Sequence, residues 1–291
     1  MTRIFTTTGI ILIALLLGTT FFVWTQILGV PLAPGFYFLD VGQGDSELVV
    51  LETGARVLID AGPDNKVVKN LETVLPTTER YIDLGLISHP QLDHFGGYLD
   101  LLDRYDFGAI IINGRNESDR TDDPENAWQR LLKKIDARHI PLITLKAGDS
   151  VKNGGARLVF LGPDELTRQS GDLNDTVLVT RVESQGLRAL FTGDIGASIE
   201  TYLAKHADLR ADILKVAHHG SKFSSSAGFL AAVQPKAAVI EVGRGNRFGH
   251  PTPEALARLS ALGIQVFRTD EQGLIAMTLN GQDLRVRSLG P

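Results

Sequence analysis

The amino-acid sequence predicts an α/β fold in which helices cover β-sheets, preceded by one apolar helix near the N-terminus. Three observations predict it. Apolar runs of strand length recur along the chain, amphipathic helical patterns interrupt them in both halves, and "GIILIALLLGTTFFVW" lies in a stretch without charge between Arg3 and Asp40.

From Ile4 to about Leu28 the apolar stretch can cross a hydrocarbon core about 30 Å thick as a helix. It predicts a signal anchor over residues 1–30. A cleavable signal peptide, which would leave a secreted protein, is the rival: the apolar centre Ile10 to Leu17 suits one, but no clean small-x-small site follows. A buried core helix is the plainest alternative. Arg3, the one flanking positive charge, favours a cytoplasmic N-terminus, a single pass, and an extracytoplasmic remainder. Pro31, Pro34 and Gly35 form a linker. "FYFLDV", "SELVVLE" and "ARVLIDAG" then read as strands, with Thr53–Gly54 a tight hairpin signal. "NKVVKNLETVL" has helical spacing and a cap at Asp64 or Asn65. "LGLIS" reads as a buried strand, "GGYLDLLDRY" as a helix and "AIII" as a strand. "DDPENAWQRLLKKIDARH" predicts a helix capped by Asp123, and "TPEALARLSAL" repeats that grammar through Thr252 and Pro253. Later strands fall at "RLVFLG", "TVLVTRV", "LRALFTG", "ADILKVA", "AAVIEV", "IQVFR" and "GLIAMTL". No second linker follows, so residues 31–291 predict one domain.

With 43% hydrophobic and 22% charged residues, the chain has globular composition. It has no cysteine, which excludes disulfides, a cysteine nucleophile and thiolate metal ligands. Any metal site must use nitrogen and oxygen, which suits zinc or manganese and not an iron–sulfur cluster. The net charge of −5 argues mildly against a broadly basic nucleic-acid surface.

Chemistry concentrates at strand ends. "LISHPQLDHFGG" crowds His89, Asp93 and His94 at one turn. Pro90 blocks immediate continuation into a helix, while Gly96 and Gly97 let the next helix pack closely on the sheet. "ALFTGDIG" delivers Asp194 from a second strand, "ILKVAHHGSK" delivers His218 and His219 from a third, and "NRFGHPTPE" puts His250 before a capped helix. Strand carboxyl ends are where ligands gather in α/β folds, and imidazole with carboxylate is what a divalent cation needs here. A surface turn with incidental histidines explains one such place better than four. His139 and His206 sit near helix ends and read as solvent-facing. In "DVGQGDS", Gln43 and Asp45 are candidates to fix a histidine ring beside the metal edge, though turn chemistry explains the glycines equally well. Asp60 reads as structural.

Together, "SHPQLDHFGG", "FTGDI" and "HHGSK" resemble the metallo-β-lactamase superfamily. "FLDVGQGDS", "NDTVLV" and "RFGHPTPE" narrow the likeness to the extracytoplasmic hydrolase domain of ComEC-type competence proteins, channels that import single-stranded DNA. The resemblance spans about Phe36 to Leu279. It implies an αββα four-layer sandwich with a metal site on one edge of its two sheets, holding one or two divalent ions. By motif, His89 would ligate one metal and Asp93 with His94 a second, with Asp194 bridging and His218 completing the set. Gln91 departs from the pattern, where the superfamily has histidine and the competence branch aspartate; a neutral amide is a weak ligand, so the first metal would bind loosely or not at all. Asn174 or Asp175 stands where the wider superfamily has another histidine.

Such ligands suit the activation of water for attack on phosphorus. Asp93 is a candidate to orient the nucleophile, and His219 or His250 to protonate the departing oxygen. Lys222 with Ser221 and Ser224, and Arg244 with Arg247, are candidate phosphate contacts, with Lys215 a further groove cation. The leading expectation is a membrane-tethered phosphodiesterase acting on DNA, with a DNA-uptake channel as partner. The alternatives are a hydrolase of a small phosphodiester such as a phosphocholine ester, and a non-catalytic DNA-binding module.

Overall fold

The computed structural model describes residues 7–28, 32–76, 78–118, 126–281 and 283–289. Helix α1 (Thr7–Leu28) is apolar, and its described side chains are exposed. A buried core helix is therefore excluded; at about 1.5 Å per residue, the helix is long enough for a membrane span or a signal sequence.

Strands β1 (Gly35–Phe38), β2 (Glu47–Val50), β3 (Arg56–Ile59), β4 (Tyr81–Leu86), β5 (Asp106–Ile112) and β6 (Leu142–Thr144) form one sheet with β14 (Ile275–Asn280) and β15 (Asp283–Ser288). Its order is β15-β14-β1-β2-β3-β4-β5-β6. The second sheet takes β7 (Ser150–Asn153), β8 (Ala156–Phe160), β9 (Thr180–Ser184), β10 (Leu187–Phe191), β11 (Ile213–Lys215), β12 (Ala237–Ile240) and β13 (Gln265–Arg268), in the order β13-β12-β11-β10-β9-β8-β7.

Side-chain alternation sorts the first sheet's residues by face. Phe36, Phe38, Val49, Val57 and Ile59 meet Phe160, Val182 and Phe191 of the second sheet in the central core. Tyr37, Leu48, Val50 and Leu58 point the other way, onto α2 (Lys66–Val74) and α5 (Ala127–Ala137) through Val67, Leu71, Trp128 and Leu131. Two short helical turns, α3 (Leu92–Phe95) and α4 (Tyr98–Leu101), lie on the same side. The outer face of the second sheet carries α6 (Ala197–His206), α7 (Ala227–Val233) and α8 (Pro253–Ala261) through Leu203, Phe229 and Leu259. A last turn, α9 (Thr269–Gln272), precedes β14. The layers are α, β, β, α.

The parallel stretches position the chemistry. β3 runs parallel to β4 and β4 to β5; in the second sheet β10 is parallel to β11, β11 to β12 and β12 to β13. Their carboxyl ends, followed by Asp60, His89, Asp194, His218 and Glu241, thus open on shared edges of the two sheets. Gly97 is obligatory at that edge, because a Cβ there would stand 2.1 Å from the Ala61 carbonyl oxygen.

Thr252 caps α8, its hydroxyl accepting from the Ala255 N–H at 3.3 Å. At α2 it is the Asp64 carboxylate that accepts, from the Lys66 N–H at 2.9 Å. Asp123, with Arg3 and Pro31, lies outside the described residues. The helix predicted over "GGYLDLLDRY" is reduced to the short turn α4, with α3 preceding Gly96 as a separate turn. Three strands absent from the sequence reading, β6, β7 and β15, are largely exposed.

Candidate metal centre

Asp93 and His94 begin the turn after β4, Asp194 follows β10 through Gly193, and His219 follows β11. Their ligand atoms all lie within 4.8 Å of one another. His219 Nε2 is 3.4 Å from Asp93 Oδ2 and 3.5 Å from Asp194 Oδ2. His94 Nε2 is 3.5 Å from Asp194 Oδ2 and 3.8 Å from Asp93 Oδ1. Donors about 2.1 Å from a tetrahedrally coordinated ion stand about 3.4 Å apart, so the spacing fits a divalent cation.

The hydrogen bonds fit one as well. His94 Nδ1 pairs with Asp60 Oδ2 at 2.8 Å, and His219 Nδ1 with the Glu241 carbonyl oxygen at 2.8 Å. Each ring thus has its far nitrogen tied down, and both Nε2 atoms are buried without a hydrogen-bond partner. Orienting carboxylates and carbonyls of this kind are how proteins hold ligating imidazoles. Burial alone would push the His219 pKa down, but Asp194 and Asp45 raise it to about 10. The same opposition holds His94 well above the usual histidine range, with Asp194 and Asp45 again responsible. Two imidazoles that bind protons this firmly face a position built for positive charge.

The His89 side of the centre is different. His89 Nε2 is already engaged by Gln91 Oε1 at 2.7 Å, and its Nδ1 lies 2.9 Å from Ser88 Oγ. Burial, assisted by His94, pushes its pKa down to about 4, so the ring is neutral. One neutral imidazole tied to one neutral amide does not fit a second cation in the way the four-residue cluster fits the first.

His218 and His219 both adopt left-handed backbone, with φ of 51° and 52°, a conformation rare outside glycine. This pair of turns sends the rings apart. His219 is buried in the cluster, whereas His218 stands at the open side with its side chain 34% exposed and Nε2 3.8 Å from Asp194 Oδ2. The resemblance implies His218 as a ligand; the clustered donors include His219, with His218 beside Asp194. The His250 ring lies 5.8 Å from that of His218. Burial and the neighbouring His219 lower its pKa, which suits a neutral hydrogen-bonding group better than a proton donor.

Asp45 is buried behind the centre, with Oδ1 3.2 Å from His219 Nδ1. Gly44 permits this: the Asp45 N–H donates to the Asp93 carbonyl oxygen, which a Cβ at residue 44 would approach to 2.3 Å. Gln43 instead accepts from the Gly243 N–H at 3.3 Å and contacts no central residue in these hydrogen bonds. Asp175 accepts from Ser170, and Asn174 shares its turn, outside the four-residue cluster. Ser221 and Ser224 are buried, their hydroxyls spent on the loop itself: Ser221 accepts from the Phe223 N–H and Ser224 donates to the Ala217 carbonyl. Lys222, Arg244 and Arg247 are exposed.

Lys215 is no groove cation. Fully buried, its ammonium pairs with Asp45 and donates to the Gly193 carbonyl oxygen at 3.1 Å. Glu47 and Glu241 lie beside Asp45 in a second buried acidic group. Burial and mutual proximity hold the Glu47 carboxyl well above the usual range. Asp60 matters more than its sequence suggested, gripping the Ser88 N–H and hydroxyl at 2.7 and 2.6 Å while orienting His94. Arg115 was not singled out either; with Gln91, Glu117 and Asp172 it lines a cleft of about 540 Å³.

A four-layer sandwich with an imidazole–carboxylate cluster at one sheet edge defines a metal-dependent hydrolase fold. The Metallo-beta-lactamase superfamily pattern matches residues 39–243, and the chain belongs to that superfamily. It is 29% identical over 255 residues to ComE operon protein 3 of Bacillus subtilis (strain 168), covering 81% of this chain and 32% of that protein. It is 30% identical over 256 residues to Competence protein ComA of Neisseria gonorrhoeae, covering 86% and 33%. The chain therefore spans about a third of the length of these curated relatives. Among solved structures it shares the fold of YhfI from Bacillus subtilis (TM-score 0.52, 12% identity, covering 82% and 98%). It also shares that of CmlA, a diiron beta-hydroxylase from Streptomyces venezuelae (TM-score 0.55, 15% identity, covering 86% and 55%).

Proposed function

We propose that this chain is a membrane-tethered, metal-dependent phosphodiesterase that cleaves DNA on the outer side of the cytoplasmic membrane as part of a competence apparatus. The observation that carries it is the pair of orphaned Nε2 atoms of His94 and His219 facing Asp93 and Asp194. The likeness to a competence protein supports DNA as the substrate class and a DNA-uptake channel as the partner. Residues 1–30 act as the anchor and 31–291 as a single hydrolase domain.

Asp93, His94, Asp194 and His219 would hold one zinc or manganese ion, with His218 in reach of Asp194. When bound, the ion supplies the Lewis acidity that brings water ionisation toward neutral pH. The chain's own residues do the rest. Asp93, one-third exposed, orients the attacking water. His218 and neutral His250 stand at the open side and hydrogen-bond the phosphoryl oxygens, while Lys222, Arg244 and Arg247 balance the charge of the backbone. His219 is committed as a ligand and leaves the role of acid to another group.

The test offers the purified full chain, loaded with manganese or zinc, linear duplex DNA, single-stranded DNA and a chromogenic phosphodiester. Cleavage of DNA that disappears in Asp194→Ala is the expected result. Turnover of the small ester alone favours the second reading, a hydrolase of small phosphodiesters, which is motivated by the acidic net charge and by Glu117 and Asp172 in the cleft. Silence on every substrate with metal bound would leave a non-catalytic module.

A further inference from the structure

Eight phenylalanines of the two sheets and their covering helices, Phe36 to Phe267, are at most 9% exposed. Among the described residues outside α1, the two exposed ones are Phe223, at 71%, and Phe248, at 53%. Both lie on the loops that carry the histidines of the open side, His218 and His250. Phe223 follows the His218–His219 turn by four residues. The Phe248 ring stacks on His250 at 6.0 Å with 27° between planes, and His250 lies beside His218.

Their loops are built to display them. The Phe223 N–H donates to Ser221 Oγ at 3.3 Å, and its carbonyl oxygen accepts from the Ala197 N–H at 3.0 Å. The Arg258 guanidinium clamps the same loop from below, donating to the carbonyls of Lys222, Ser224 and Ser225. Across the mouth, the Asn246 carboxamide closes its own loop, accepting from the Phe248 and His250 N–H groups and donating to the Gly243 and His250 carbonyls. The Gly220 carbonyl joins the two loops by accepting from the Thr252 N–H at 2.9 Å. Phenyl rings carried on loops tied down in this way yet left in water forgo the stabilisation of burial.

Each ring also carries a cation: Lys222 Nζ lies 5.0 Å from the Phe223 centroid and Arg247 Cζ 5.0 Å from that of Phe248. In a chain of net charge −5, residues 217–226 and 243–251 contain Lys222, Arg244 and Arg247 and no carboxylate. Flat apolar faces alternating with cations match a ligand whose flat apolar rings alternate with anions.

We propose that Phe223 and Phe248 are stacking platforms for two unpaired bases of a nucleic-acid strand, with Lys222, Arg244 and Arg247 on the intervening phosphates. The inference rests on the phosphodiesterase reading of the same site and sharpens it, since bases inside a duplex cannot offer their faces. Stacking of this kind is sequence-tolerant and costs roughly tenfold or more in affinity per ring lost.

The test is fluorescence anisotropy with the full chain in detergent and a phosphorothioate-linked strand. Phe223→Ala and Phe248→Ala should each weaken binding of the single strand about tenfold, with metal content and melting temperature held at the parent's values. Phe→Trp at either position should retain binding, and a strand with abasic sites should be indifferent to all four substitutions. An unchanged affinity in the alanine variants, or an equal loss on abasic strand, overturns the proposal. So does a lipid role, read in nanodiscs of brominated lipid as quenching of either tryptophan variant beyond the parent's. DNA cleavage by the metal-loaded parent chain, lost in Asp194→Ala, separates the two readings: turnover of DNA without base-dependent binding defeats the stacking platform and leaves the hydrolase standing. Base-dependent binding without turnover does the reverse.

Discussion

Gln91 Oε1 lies 2.7 Å from His89 Nε2, while the Nε2 atoms of His94 and His219 have no hydrogen-bond partner. The contrast divides the centre into one position ready for a cation and one already closed by an internal hydrogen bond. Seating a second ion at His89 would require breaking that bond and accepting a neutral amide where a charged or strongly basic ligand is wanted. The chain saturated with zinc or manganese should therefore carry one equivalent of metal by plasma emission spectrometry. Gln91→Asp should carry two. Two equivalents in the unsubstituted chain would show that His89 gives up the amide readily.

Asp60 stands behind His94 as Glu241 stands behind His219, and its carboxylate also takes both hydrogen bonds of Ser88. Asp60→Asn removes the charge while keeping the shape, so the fold should survive. Loss of an orienting carboxylate costs about 10- to 100-fold in metal affinity, measured by competition with a chromophoric chelator. In the same assay His219→Ala should weaken metal binding more than His218→Ala. The opposite ranking would return the ligand role to the exposed ring.

Lys215 and Asp45 form an ion pair with no exposure at the lysine. Burial opposes the charge on Lys215, but Asp45 and Asp194 more than offset it and raise its pKa. Removing one partner of a buried pair strands the other, typically at about 3–5 kcal/mol; Lys215→Met should lose that much in denaturant unfolding. Glu47, a few ångströms away, should behave oppositely. Burial and Glu241 hold its carboxyl well above the usual range, and glutamine imitates a protonated acid. Glu47→Gln should stay within about 1 kcal/mol of the parent.

These residues also mark where sequence stops being informative. The candidate site was legible because Asp93, His94 and Asp194 each come after an apolar strand, and strand ends converge in α/β folds. Sheets covered by helices followed from apolar runs interrupted by helical patterns, whereas the four-layer arrangement came from the family resemblance. Asp60 and Glu241 were not legible as partners of His94 and His219. They are 34 and 22 residues away along the chain, and a strand-terminal acid looks the same whether it supports a ring or a turn. Lys215 read as a groove cation because nothing local shows that Asp45, 170 residues distant, neutralises it. The choice between His218 and His219 rests on two left-handed backbone positions that residue identity does not encode. Edge strands β6, β7 and β15 lack an apolar face on both sides and so lack the pattern that strand reading relies on.

Proton competition gives the last prediction its sign. Burial alone would lower the His219 pKa, but Asp194 and Asp45 raise it to about 10, against about 6.5 in an unfolded chain. In the metal-free protein the imidazolium therefore contributes stability that is fully present below about pH 6.5 and lost as pH climbs through about 10. His94, also held well above its ordinary value, acts in the same direction. A metal ion must displace these protons, because imidazole ligates only when deprotonated. Adding zinc at pH 7.5 should release up to two protons per ion, and metal affinity should rise up to tenfold per pH unit for each proton displaced. Thermal melts of chelator-treated chain should fall between pH 8 and 10, while the loaded chain, whose cation replaces the lost protons, should stay flat across that range. A metal-free chain that grows more stable toward pH 10, or zinc uptake without acid release in a weakly buffered titration, would contradict the carboxylate–imidazole coupling on which the site depends.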